Sequence, residues 1–361
     1  MTIRLLLIGG GHAHIMALRS LTKRRYPPAS ITLIDPDTSS VYSGMVPGFV
    51  AGHFKQNEIE VDLKRLCSNA GVQFLQDEIC ALNLKRKQFE GRSGAVYDFD
   101  VTSINIGVTS IPPDTCASPS STPVKPMRKF VDQWLEMRHD LSKGMAIIGG
   151  GLGGVELCLA IRHYARTSGI PDDVPITVID RSEILGSAAS SLKKSLARKL
   201  SEFRIGVLEN TSAHAITPDG VRVSSGETVK AGQIVWATGA HAANWLEESG
   251  LATDNVFPMV LPTLQLVSHD SVFLAGDTAH FMGESIPKAG VYAVRQGQLL
   301  MSNLIAFMSG NSLRSFQPQT DYLKLVSLGG KSAIAEKWGH TLKAPGLWSL
   351  KKIIDQSFVR G

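Results

Sequence analysis

The residues with the clearest chemistry in this 361-residue chain are two glycine turns and two aspartates. The first turn is Gly9-Gly10-Gly11 and the second runs from Gly149 through Gly151 to Gly154. Each is entered from an apolar run, Ile3 to Ile8 and Met145 to Ile148. Each aspartate closes another such run, Ile31-Thr-Leu-Ile-Asp35 and Ile176-Thr-Val-Ile-Asp180. Backbone N–H groups at a helix start reach a pyrophosphate only where no side chain intervenes, and a carboxylate ending the next strand suits a ribose diol. One such unit binds one dinucleotide. Two units in one chain imply two dinucleotides held together, the arrangement needed to pass a hydride between them.

The two copies differ in ways that bear on the cofactor. The second has all three glycines, whereas the first has Gly9 and Gly11 but His14 at the third position. His14 reads either as a packing histidine or as one that touches the cofactor. His12, beside Ala13 in the same turn, is placed to donate to pyrophosphate. Asp180 repels a 2′-phosphate and so favours NAD over NADP, with Arg181 next to it pulling the other way. Further on, Val272-Phe-Leu-Ala leads into Gly276-Asp277, an aspartate suited to a ribityl hydroxyl. Lys288 and Ala289 then open a helical stretch through Gly297. Its N-terminal partial charge, with Lys288, is expected to face the electron-rich edge of a flavin and stabilise the reduced ring. Gly107, after an apolar strand, and Gly239, in Ala237-Thr238-Gly239, complete the expected cofactor contacts.

The elements that must hold these residues are α/β: two Rossmann-like dinucleotide-binding domains and a small C-terminal region. The first domain opens with a strand, a helix from about Ala13 to Lys23 and a second strand. A helix near Val61–Cys67 and strands at Val72–Leu75 and Asp98–Ile106 follow. A Pro, Ser and Thr-rich stretch, Ile111 to Pro126, marks the crossover. The expected order is residues 1–113 in the first domain, 114–240 inserted as the second, 241–310 returning to the first, and 311–361 as a tail. In the tail, Leu347, Leu350, Ile354 and Phe358 fall on one helical face with Lys351 and Lys352 nearby, to pack on the protein or a second subunit, or to lie on a membrane.

Composition narrows the rest. A hydrophobic content of 43% allows a large core, and the net charge of +5 is scattered, which argues against nucleic acid. The four cysteines are widely spaced, with no metal-ligand pattern, as in a reducing compartment. No metal site is expected. The apolar N-terminal run is too short and wrongly flanked for a signal peptide, so a cytoplasmic location is expected, with the inner face of the membrane as an alternative.

In order, Gly9-Gly-Gly11, Gly149 to Glu156, Ala237-Thr-Gly239 and Gly276-Asp277 resemble the two-dinucleotide-fold, pyridine nucleotide-disulfide type flavoprotein oxidoreductases. More narrowly, His12-Ala-His14, Tyr42-Ser-Gly44-Met-Val-Pro47-Gly48 and Ala51-Gly-His53 look like the type II NADH dehydrogenase branch sometimes fused to selenophosphate synthetase. The resemblance implies FAD on the first fold and NADH on the second, with NADPH less favoured. It implies that Pro47 stacks beside the flavin and that Glu156 lies near the nicotinamide. A histidine at position 14 is expected in that branch. The redox cysteine pair of the disulfide reductases is missing from Val41 to Gly48, which makes dithiol relay improbable.

The reading is therefore an FAD-dependent NADH oxidoreductase with Glu156 and Lys288 as catalytic residues and a quinone as first-choice acceptor. Two alternatives stand beside it: a flavoprotein reductase of selenium or sulfur metabolism, and an FAD-binding regulatory protein without turnover.

Overall fold

The computed structural model describes residues 2–21, 27–251, 253–254, 257–284 and 286–361. Two parallel sheets dominate it. In the first, the order is Gln73–Gln76, Ala29–Asp35, Ile3–Ile8, Val101–Ile104 and His269–Leu274, all parallel. Short antiparallel strands at Gln265–Leu266 and Phe257–Val260 extend it beyond His269–Leu274. The second sheet runs Ser121–Pro123, Gln233–Trp236, Met145–Ile148, Ile176–Ile179 and Gly206–Leu208, also parallel. Strands buried on both faces explain the unbroken apolar runs of the sequence: Leu5, Leu7 and Ile8, and Met145, Ala146 and Ile147, are almost wholly shielded.

The helix expected from Ala13 to Lys23 is seen from His12 to Leu21, and Lys23 lies outside the described residues. The one expected near Val61–Cys67 is Leu63–Ala70. Asp62 caps its N-terminus by accepting from Arg65 N, and Gly71 ends it at φ 66°. That positive φ costs a glycine nothing. Most buried residues between Val41 and Ile59 join the second sheet's core, while Tyr42 also packs against the first. Val46, Phe49 and Val50, from a short helix, pack with Leu157 and Ile161 of the helix Leu152–Thr167. Segment 41–59 thus bridges the two sheets' cores. The tail forms a three-stranded sheet, Lys324–Ser327, Ala333–Lys337 and His340–Leu342, and the C-terminal helix Leu347–Arg360.

Candidate active site

Both glycine turns sit where a strand hands over to a helix, and both are built on one plan. At the first, Gly10 N donates to Asp35 Oδ2 at 2.5 Å; at the second, Gly150 N donates to Asp180 Oδ2 at 2.7 Å. Asp37 N and Ser182 N satisfy the other carboxylate oxygens. The environments then diverge. Burial pushes Asp35 up to about 6 against its hydrogen bonds from Gly10 and Asp37. At Asp180, burial also pushes upward but is outweighed by hydrogen bonds from Gly150 and Ser182, which hold the carboxyl below its ordinary value. Asp180 is therefore a firm anion at neutral pH.

The third position of each turn separates them. A Cβ on Gly154 would overlap the carbonyl oxygen of Gly149, so that helix is seated directly on its turn. In the first copy, Gly9 O instead meets His14 Nδ1 at 2.6 Å, and His14 Nε2 meets Ser103 Oγ at 2.8 Å. A carbonyl only accepts, so Nδ1 carries the proton and Nε2 accepts from the serine hydroxyl. Burial pushes His14 down to about 4. Wholly buried between strand and helix, it is not among the residues that line the cleft. The structure thus places His14 as packing rather than in cofactor contact.

A cleft of about 370 Å³ opens over the first turn, lined by Gly9, Gly11, His12, Asp35, Gly107 and Asp277 among others. A Cβ on Gly9 would lie 2.6 Å from Asn105 O, and one on Gly11 would meet the same residue's side chain. These are the close backbone approaches a phosphate cradle requires. Sequence reasoning missed Asn105, which organises the cradle. Its Oδ1 accepts from Ala13 N at 3.0 Å and His14 N at 3.3 Å, its backbone oxygen accepts from Gly11 N, and its Nδ2 donates to Ala275 O at 2.7 Å. It caps the helix from a neighbouring strand and ties both glycine turns of this cleft, since a Cβ on Gly276 would lie 2.6 Å from its Nδ2. The only advance signal was a polar residue following the strand Val101–Ile104, two positions before Gly107.

Two cations reach this cleft. Lys125 Nζ pairs with Asp277 Oδ2 at 3.0 Å, and Arg128 Nη1 pairs with Glu60 Oε1 at 2.7 Å. Lys288 is held by the turn that follows Gly276. Its Nζ donates to Asp277 O and Ala279 O at 2.8 and 2.5 Å and lies 3.9 Å from the Phe257 ring centroid. Burial lowers it to about 8, and it is absent from the cleft lining. The physical reason is its place before the helix, which begins at Gly290, where unpaired turn carbonyls capture the ammonium. Lys288 thus braces the Gly276–Thr278 turn. The helix N-terminus itself does face the cleft: Gly290 and Ala293 line it, and a Cβ on Gly290 would lie 3.3 Å from His12 Nδ1.

Two more cavities complete the site. One of about 740 Å³ spreads over the second turn, lined by Gly149, Gly151, Asp180, Arg181 and Gly239. The other, about 750 Å³, joins Pro47 and Ala289 to Glu156 and the C-terminal helix. Glu156 Oε1 accepts from Ser327 N at 2.7 Å, and burial raises its carboxyl despite the nearby Lys351. No cysteine lines any of the three, and the described cysteines are free. Among the described residues there is no cluster that could hold a metal ion.

Two dinucleotide cradles on two parallel sheets, with one chamber shared between them, define a two-cofactor oxidoreductase. The family model described as pyridine nucleotide-disulphide oxidoreductase matches residues 3–297, and the chain belongs to that family. The type II NADH:quinone oxidoreductase of Staphylococcus saprophyticus is 22% identical over 396 residues, spanning 98% of this chain and 94% of its own. Two solved structures share the fold. The sulfide:quinone oxidoreductase of Aquifex aeolicus has a TM-score of 0.83 at 17% identity, covering 99% of this chain and 91% of its own. NDH2 of Plasmodium falciparum, in complex with NADH, has a TM-score of 0.81 at 12% identity, covering 100% and 98%.

Proposed function

We propose that the chain takes electrons from NADH through FAD and delivers them to a quinone. The observation that carries this reading is the chamber that joins Pro47, from the segment after the first cradle, to Glu156, on the helix of the second. It is the place where a nicotinamide on one fold and a flavin ring on the other would meet. FAD, when bound, supplies the two-electron centre; the protein supplies alignment and charge.

Gly9, Gly10 and Gly11 would hold the pyrophosphate of FAD, Asp35 the ribose, and Lys125, Asp277 and the helix start at Gly290 the remainder. These groups fit because the cradle is closed to any Cβ and the cleft is flanked by cations. Gly149 and Gly151 would hold the NADH pyrophosphate. The anionic Asp180 supports NADH over NADPH, since it opposes a 2′-phosphate. Glu156, its carboxyl raised by burial and one oxygen held by Ser327 N, lines the chamber beside the place where the two rings would meet. The quinone is supported by the curated relative and by the apolar part of the chamber wall, including Val294 and Leu325.

An anaerobic titration with NADH and then NADPH, following flavin absorbance, tests the reading. Rapid bleaching by NADH, and reoxidation by a soluble quinone, is the expected result. Reoxidation only by selenium compounds would move the acceptor, and a yellow protein bleached by neither nucleotide would overturn the oxidoreductase reading.

A further inference from the structure

We propose that the C-terminal helix Leu347–Arg360 is a strap that holds the wall of the flavin cleft in place, with Phe358 as its positioning residue. The inference rests on the assignment of FAD to that cleft. The wall is the segment Tyr42-Ser43-Gly44: Ser43 lines both the cleft and the chamber, and Tyr42 and Gly44 line the chamber.

The helix grips this segment from several side chains, Asp355 among them through a hydrogen bond with Tyr42. Lys351 Nζ donates to Gly44 O at 2.9 Å, and the Phe358 ring stacks on Tyr42 with centroids 4.3 Å apart and planes at 25°. Phe358 also meets the His12 ring edge-on at 5.1 Å, and His12 meets Tyr42 at 5.2 Å, so the three rings form a closed triangle. His12 belongs to the glycine turn and lines the cleft. The last turn of the chain is therefore one side chain removed from the pyrophosphate cradle. From the helix behind that cradle, Arg19 returns the contact: Nη2 donates to Val359 O at 3.2 Å, and its guanidinium lies 5.3 Å from the Phe358 centroid.

The same geometry sorts the helix into two faces. Leu347 and Phe358 are buried and Lys351 pairs with buried Asp355 at 2.7 Å, whereas Leu350, Ile353 and Ile354 are exposed. A strap needs such an arrangement, because an apolar stripe alone would not fix the helix's rotation or the height of Phe358 over Tyr42. Without the phenyl ring, the His12 imidazole and the Tyr42 ring lose their shared partner, and the imidazole keeps only its edge contact with Tyr42 and its hydrogen bond to the Val41 backbone.

The test compares Phe358→Ala, Lys351→Met and their double variant with wild type, with Ile353→Ser on the exposed face as control. Flavin fluorescence gives the FAD dissociation constant, and Tm with and without FAD is measured alongside. Aromatic contacts of this kind predict FAD affinity weakened by about tenfold for Phe358→Ala. Apoprotein Tm should also fall in both single variants, since each removes a buried contact, the rise in Tm on adding FAD should shrink, and Ile353→Ser should change neither. If Phe358→Ala fails to fold, Lys351→Met decides, through its separate hold on Gly44. Wild-type FAD affinity in the decisive variants overturns the strap. A wild-type protein that takes up no FAD overturns instead the reading on which the strap rests.

Discussion

His14 and Asn105 show how a cofactor turn is supported from behind. His14 fills the position of a third glycine, and its two ring nitrogens satisfy Gly9 O and Ser103 Oγ. Deleting it leaves both groups buried without a partner, at about 1–3 kcal/mol for each, so His14→Ala should lower Tm markedly. Acid separates this from simple packing. The folded pKa of about 4 lies below the ordinary 6.5, so the unfolded chain takes the proton first. The stability His14 contributes is complete above pH 6.5 and is lost as pH falls toward 4. Asp35, raised to about 6, acts in the opposite sense over part of the same range, because the folded state protonates it first. Comparing wild type with His14→Gln cancels that term. The Tm difference should be largest near neutral pH and shrink toward pH 4; a constant difference would show that the imidazole does not titrate with folding. Asn105→Ala should cost a few kcal/mol in urea unfolding and weaken FAD retention, since it frees Ala13 N, His14 N and Ala275 O at once.

Helix and strand meet differently at the two turns, and this gives a separable prediction. In Gly154→Ala the new methyl would occupy the space of Gly149 O, forcing the helix Leu152–Thr167 away from its turn. Overpacking of this kind costs about 1–3 kcal/mol. NADH affinity should fall by about tenfold or more, and FAD content should be unchanged because the first cradle is on the other sheet. An unaltered NADH affinity would mean that the second turn does not carry the nucleotide. Such elements were legible because glycine turns, apolar strands and terminal aspartates carry their physics locally. Asn105 was not, since its role depends on a strand reaching across to a helix start 92 residues away. What the sequence did not show of Lys288 is that the helix begins two residues later, at Gly290, and that nearby carbonyls hold its ammonium. The C-terminal helix was half legible. Its periodicity put Leu347, Leu350, Ile354 and Phe358 on one face, but with the Lys351–Asp355 pair turned inward Leu350 faces outward and Ile354 sits half-exposed at the edge of the chamber.

For the molecule as a whole, that outward face raises the question of where a quinone would come from. Among the described residues no helix is long and apolar enough to cross a membrane. Ile353 is 65% exposed, and Trp338, on the tail sheet, is 72% exposed, with Lys337 4.1 Å from its ring centroid. Exposed apolar side chains mixed with lysines suit the surface of an anionic bilayer, where buried apolar area and headgroup charge add. We therefore propose that the tail rests on the membrane and that a quinone enters the chamber from that side. Flotation with phosphatidylglycerol vesicles should carry the wild-type protein upward and leave Leu350→Lys/Ile353→Lys behind, with the effect weakened by salt. Because neither side chain lines the chamber, the double variant should keep its FAD and its reaction with NADH in solution, losing only the turnover of membrane-embedded quinone. Wild-type protein that stays below the vesicles at low salt would remove the membrane from the account and leave the exposed face to contact with another protein surface.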